Sequence, residues 1–143
     1  MKLFLDANVV FSAAQLSEGR AQQLLALAAL ARAGRCALVT SPHALEEARR
    51  NLALKSHGFE KRLAALLEIA ALVAEAPLER VAWAASERLP PKDAPILAAA
   101  VQCGATHLVT GDARDFGHLY GRVLRGVRIV SPAQALQAVL AHG

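Results

Sequence analysis

Short apolar runs that stop at a polar residue alternate along this chain with longer segments of helical spacing. The first run, residues 2–5, is apolar and stops at Asp6, which predicts a buried strand. Residues 20–33 then place Ala21, Leu24, Leu25, Ala28 and Ala31 at helical intervals, with Gly34 as a stop. Leu27 and Leu30 widen the apolar arc of this helix, so it is either deeply buried or part of a subunit interface. Residues 36–39 read as a second strand, and Ser41-Pro42 as a capped helix start continuing through Leu45, Ala48 and Leu52. A further helix over 59–70 carries Leu63, Leu66 and Leu67. Between 71 and 88 a short strand ending at Pro77 is expected, with an irregular or helical piece after it. Pro90-Pro91-Lys92-Asp93 opens a helix over 93–102 with Asp93 at its N-cap, Pro95 in its first turn and Gly104 closing it. A strand over 107–110 leads into Gly111-Asp112, and a last strand over 128–130 into Ser131-Pro132 and a final helix to Ala141. Strands alternating with helices predict an α/β fold with a mainly parallel central sheet and helices on both faces, as a single domain over 1–143.

Composition narrows the partners. Apolar residues make up 55% of the chain, which argues against disorder, and aromatic residues only 4%, which argues against base-stacking platforms. The 16 basic and 12 acidic residues leave a net charge of +4, compatible with nucleic acid without demanding it. Cys36 and Cys103 form neither a metal pair nor a disulfide framework and read as small apolar residues in a reducing cytosol. No apolar run is long enough to cross a bilayer, and Asp6 interrupts what would be a signal-peptide core. A cytoplasmic protein with no membrane partner is expected.

The candidate chemistry lies in acidic residues at strand ends. In a parallel sheet the functional crevice lies beyond the carboxyl ends of the strands. Asp6 and Asp112 each follow a strand, and Asp93 opens the helix before the second of these. Carboxylates gathered there repel by about 3 kcal/mol per pair at roughly 5 Å and an effective dielectric near 20. Either their pKa values rise or a hard divalent cation neutralises them and activates water against a phosphodiester. Each aspartate taken singly also fits a turn former or helix cap, and the two readings stand side by side.

At these residues a family resemblance emerges. LFLDANVVFSA resembles the first motif of the PIN-domain nucleases, and SPHALEEARRNL is similar to their second. DAPILAAAVQCGATHLVTGDARDF resembles the third and fourth, and VRIVSPAQAL the closing strand and helix. The resemblance implies a three-layer α/β/α PIN-like fold with metal-binding, catalytic carboxylates at Asp6, Glu47, Asp93 and Asp112. It implies a further acidic position at Asp115, with Asn8 and Thr110 orienting the carboxylates. The implied activity is Mg²⁺- or Mn²⁺-dependent endonucleolytic cleavage of RNA. Many members of this size are toxins of toxin–antitoxin pairs, dimeric and inhibited by a small partner protein.

Helical geometry separates the two adjacent glutamates. Glu46 shares a face with Arg49 and Arg50, whereas Glu47 lines up with Ala44, Asn51 and Leu54 and has no cationic neighbour on its own helix. Arg114, Arg122, Arg125 and Arg128 form a basic stretch that reads either as solvated surface or as phosphate contacts. The five histidines show no ligand spacing, and Trp83 reads as a packing residue. Two rivals to a nuclease are a non-catalytic RNA- or partner-binding module on the same scaffold and a phosphoacceptor receiver domain. The receiver needs an adjacent acidic pair after strand one and a lysine after a late strand, and this chain has neither.

Overall fold

The computed structural model describes residues 1–15, 20–55 and 57–142, except for the side chains of Arg20 and Ala21. Among these residues one sheet is built from β1 (Lys2–Leu5), β2 (Ala37–Thr40), β3 (Ala70–Leu72), β4 (His107–Val109), β5 (Val123–Leu124) and β6 (Val127–Val130). The order is β3-β2-β1-β4-β6-β5. Every neighbouring pair is parallel except the edge hairpin β5–β6. The helices are α1 (Ala7–Gln15), α2 (Arg20–Arg32), α3 (Pro42–Lys55), α4 (Glu60–Ile69), α5 (Leu78–Ala85), α6 (Ala94–Gln102), α7 (Ala113–Phe116) and α8 (Pro132–Ala141).

Strand alternation divides the apolar side chains between two cores. Leu3 and Leu5 of β1, Leu38 of β2, Val109 of β4 and Val130 of β6 enter one, packed with residues of α1, α2, α3, α4 and α8. Phe4, Val39, Leu108 and Ile129 enter the other, against α5 and α6. A sheet covered on both faces needs strands that are apolar throughout, which is why the strand sequences read as runs rather than alternations. Ala98, Ala99 and Ala100 are fully buried on α6, where larger side chains would hold the helix off the sheet.

Three local outcomes extend or alter the sequence expectation. Val9 and Val10 follow β1 as if to continue it, yet both are buried in α1, which packs against α2, α3 and α4. Tertiary burial overrides β-branched propensity there. The strand expected to end at Pro77 stops at Leu72, because its partner β2 ends at Thr40 and the chain turns into α3. Val73 N–H donates the last bond, to Thr40 O at 2.8 Å. The wide apolar arc of α2 is largely absorbed within the chain: Leu24 and Leu27 are buried, while Leu25 stays 61% exposed.

Candidate active site

The parallel sheet brings the ends of β1, β2 and β4 to one edge, and helices that follow or precede these strands begin there. A helix that feeds a parallel strand runs antiparallel to it, so α6 starts where β4 ends. That places Asp93, at the start of α6, beside Asp112, at the start of α7. Ligand oxygens of Asp93, Asp112 and Asp115 lie within 4.8 Å of one another. Asp6 and Glu47 line the same open cavity as Asp93 and Asp112, a space of about 660 Å³.

Asp6 is 2% exposed and fully engaged. Its Oδ1 accepts the Ala7 N–H at 2.7 Å, and its Oδ2 accepts the Thr110 hydroxyl at 2.8 Å and the Asn8 amide at 3.1 Å. Asn8 Oδ1 accepts the Gly111 N–H at 2.9 Å, and Thr110 Oγ1 accepts the Asp112 N–H at 3.1 Å. One network therefore ties the end of β1 to the Thr110-Gly111-Asp112 turn after β4. Burial nevertheless pushes Asp6 up to about 6, against the lowering effect of Thr110 and Ala7 and helped by the charges of Glu47 and Asp112.

Asp93 stands at the N-cap position of α6, but its side chain makes no capping bond. It is equally buried, and its Oδ2 accepts no hydrogen bond among the described residues. Burial, the adjacent Asp115 carboxyl and the charge of Asp6 push it up to about 7, with Lys92 pulling the other way. Asp115 moves below the usual carboxylate range, through its contact with Asp93 and then the Lys92 ammonium. Asp112 does act as a cap, accepting the Asp115 N–H at 3.0 Å, so for this residue the cap and site readings coexist.

Lys92, which sequence reasoning passed over, sits at the centre of this group. Its Nζ is 3.3 Å from Asp93 Oδ2, 3.1 Å from Asp115 Oδ2 and 3.9 Å from Asp112 Oδ2. Partial burial works against its charge, but Asp115 and Asp93 overcome that and hold the ammonium above its ordinary pKa. A lysine in a proline-rich turn reads as surface, and no sequence spacing distinguishes it.

Glu46 is exposed, whereas Glu47 is half-buried and lines the cavity. Glu47 was expected to have no cationic neighbour on its own helix; Arg50 and Lys55 of α3 line the same cavity as Glu47. Arg50 is one turn from either glutamate, so helical spacing alone could not assign it. Within the Arg114–Arg128 stretch, Arg128 donates to Gly121 O at 2.9 Å and Arg125 lies 4.0 Å over the Trp83 ring. Tyr120, also missed, donates its hydroxyl to Thr110 O at 2.8 Å.

A family model described as PIN domain matches residues 2–114. The chain belongs to the PIN domain family, a family of nucleases. No curated protein matches it. Among solved structures, VapBC2 from Rickettsia felis, bound to a DNA fragment from its promoter, is similar at TM-score 0.65 and 18% identity, covering 92% of this chain and 98% of that one. A protein from Pyrobaculum aerophilum is similar at TM-score 0.66 and 20% identity, covering 99% and 91%. Mycobacterium tuberculosis VapC20, described as a sarcin-ricin loop cleaving toxin, is similar at 0.59 and 14%, covering 81% and 94%. At these identities the likeness is one of fold. None of the described helices is long and apolar enough to cross a membrane.

Proposed function

We propose that this protein is a Mg²⁺- or Mn²⁺-dependent endoribonuclease whose catalytic, metal-binding residues are Asp6, Glu47, Asp93 and Asp112, with Asp115 beside them. The observation that carries this reading is the meeting of Asp93, Asp112 and Asp115 next to buried Asp6 at the carboxyl edge of the sheet. The donors fit a hard cation: all are carboxylate oxygens, and Asp93 Oδ2 is buried without a hydrogen bond among the described residues.

When bound, the cation would supply Lewis acidity and lower the pKa of a coordinated water. The chain's own residues do the rest. Thr110 and Asn8 fix the orientation of Asp6, and through the backbone of residues 111 and 112 they fix that of Asp112. Arg50, Lys55 and Lys92 bring positive charge to the cavity wall, where they would hold RNA phosphates. No side-chain nucleophile is required.

The similar structures include VapBC assemblies and a toxin described as cleaving the sarcin-ricin loop. The VapBC likeness supports a toxin restrained by an antitoxin protein; a cytoplasmic location, and homodimerisation through the side of α2 that carries exposed Leu25, complete the proposal. Cleavage of a single-stranded RNA with Mg²⁺, in the presence and absence of excess EDTA, tests the activity. Loss of cleavage with EDTA, and about a hundredfold loss in a folded Asp112→Asn variant, are expected. Undiminished cleavage in EDTA, or full activity in that variant, would remove the proposal.

A further inference from the structure

One basic residue of the cavity wall, Lys92, reaches the carboxylates themselves. Lys92 Nζ approaches the Oδ2 atoms of Asp93, Asp112 and Asp115 at 3.3, 3.9 and 3.1 Å, and Asp93 Oδ1 at 3.4 Å. These are the carboxylates whose oxygens converge tightly enough to ligate one cation. Asp93 Oδ2, buried and without a hydrogen bond among the described residues, has this ammonium as a cationic neighbour. The backbone of Lys92 is pinned from α3, where His43 Nε2–H donates to Lys92 O at 2.8 Å. The side chain is 54% exposed and lines the open cavity, so it can swing away without moving the backbone that carries Asp93.

We propose that Lys92 is the resident counter-cation of the cluster and competes with the divalent cation for Asp93, Asp112 and Asp115. If the cluster holds such a cation, as proposed above, the two positive charges need the same lone pairs. Carboxylates bind a divalent ion at roughly 2.0–2.6 Å, too close for an ammonium to remain between them. Without metal, Lys92 offsets the repulsion that would otherwise open the edge of the sheet. With metal, it is displaced towards the cavity, and the work of displacing it lowers the affinity for the ion. Part of the site's metal affinity is thus set by a residue that binds no metal.

Calorimetric titration of Mn²⁺ into metal-free wild type, Lys92→Met and Lys55→Met tests this. Methionine keeps most of the length and removes the charge. Lys92→Met is expected to bind Mn²⁺ about tenfold more tightly than wild type, and Lys55→Met within about twofold. General structural damage would weaken binding, so the direction is diagnostic. Equal or weaker binding by Lys92→Met, with wild type binding normally, overturns the competition and leaves the metal site standing. No binding by any of the three proteins overturns both. Should Lys92→Met not fold without metal, the ¹⁵N resonance of the Lys92 ammonium in wild type decides. It is expected to shift on Mg²⁺ addition, and an unmoved signal overturns the proposal.

Discussion

Asp6 and Asp93 are both 2% exposed, and both carboxyls are pushed well above the ordinary range, to about 6 and about 7. Their surroundings differ. Asp6 is held by a backbone N–H, a hydroxyl and an amide, all contributed by the first strand-to-helix turn and the turn after β4. Asp93 has an oxygen that accepts no hydrogen bond among the described residues, and a lysine for company. A buried carboxylate with three donors is part of the scaffold as well as the site. One with an orphaned oxygen is costly to keep and is explained by something that comes and goes. The difference separates the hydrogen-bonded half of the candidate site from the half proposed to hold the cation.

The largest expected effect breaks the comparison directly. Asp6→Asn and Asp93→Asn are each expected to lower RNA cleavage by about a hundredfold or more, but with opposite effects on the metal-free fold. In Asp6→Asn the new NH₂ must face a donor, Ala7 N–H or Asn8, and urea melts should show a loss of about 1–3 kcal/mol. Asp93→Asn gives up the ion pair with half-exposed Lys92 but removes a buried charge whose Oδ2 accepts no hydrogen bond among the described residues, and stability at pH 8 should hold or rise. The same sign in both variants would erase the distinction.

The second effect is on pH. Both pKa values are raised on folding, so the folded state binds more protons than the unfolded chain. Their contribution to stability is fully present below about pH 4 and is lost as pH rises through 6 to 7. For Asp6 alone the rise from 3.8 to about 6 corresponds to about 3 kcal/mol. Thermal melts in EDTA should therefore fall between pH 4 and 7, and saturating Mn²⁺ at pH 7 should reverse much of the fall. A flat profile would mean that the site carries no such strain.

Smaller effects sharpen the scaffold side. Thr110→Val removes the hydroxyl that donates to Asp6 and accepts from Asp112 N–H, and is expected to cost about 10–100-fold in cleavage. Glu47→Gln should cripple cleavage and weaken Mn²⁺ binding, whereas Glu46→Gln, on the exposed face of α3, should leave both within about twofold. Swapped results would show that the other glutamate faces the cavity in solution.

What the sequence disclosed follows the same division. The strands, the serine-capped helices and the Thr110-Gly111-Asp112 turn are local patterns. Ser131 caps α8 as its Ser-Pro start suggests, with Gln134 completing a reciprocal cap, and Ser41 accepts the Ala44 N–H at 3.2 Å. The strand ends therefore pointed to Asp6 and Asp112, and the fold explains why Asp93 joins them. Lys92, Arg50 and Lys55 were not legible, because an exposed basic residue on open surface and one lining an acidic cavity have the same sequence signature. Their roles arise only where α3, α6 and α7 meet. Helix α1 was hidden for a related reason, its valines being drawn into a core that local propensity does not see.

On the proposed function, the carboxylates around Asp93 form a divalent-cation site. Anomalous diffraction from crystals soaked in Mn²⁺ addresses it directly. A peak within coordination distance of Asp93 and Asp112, with the Lys92 side chain moved out of the cluster, is the predicted result. A saturated soak that shows no peak there, with Lys92 still seated between the aspartates, would contradict it.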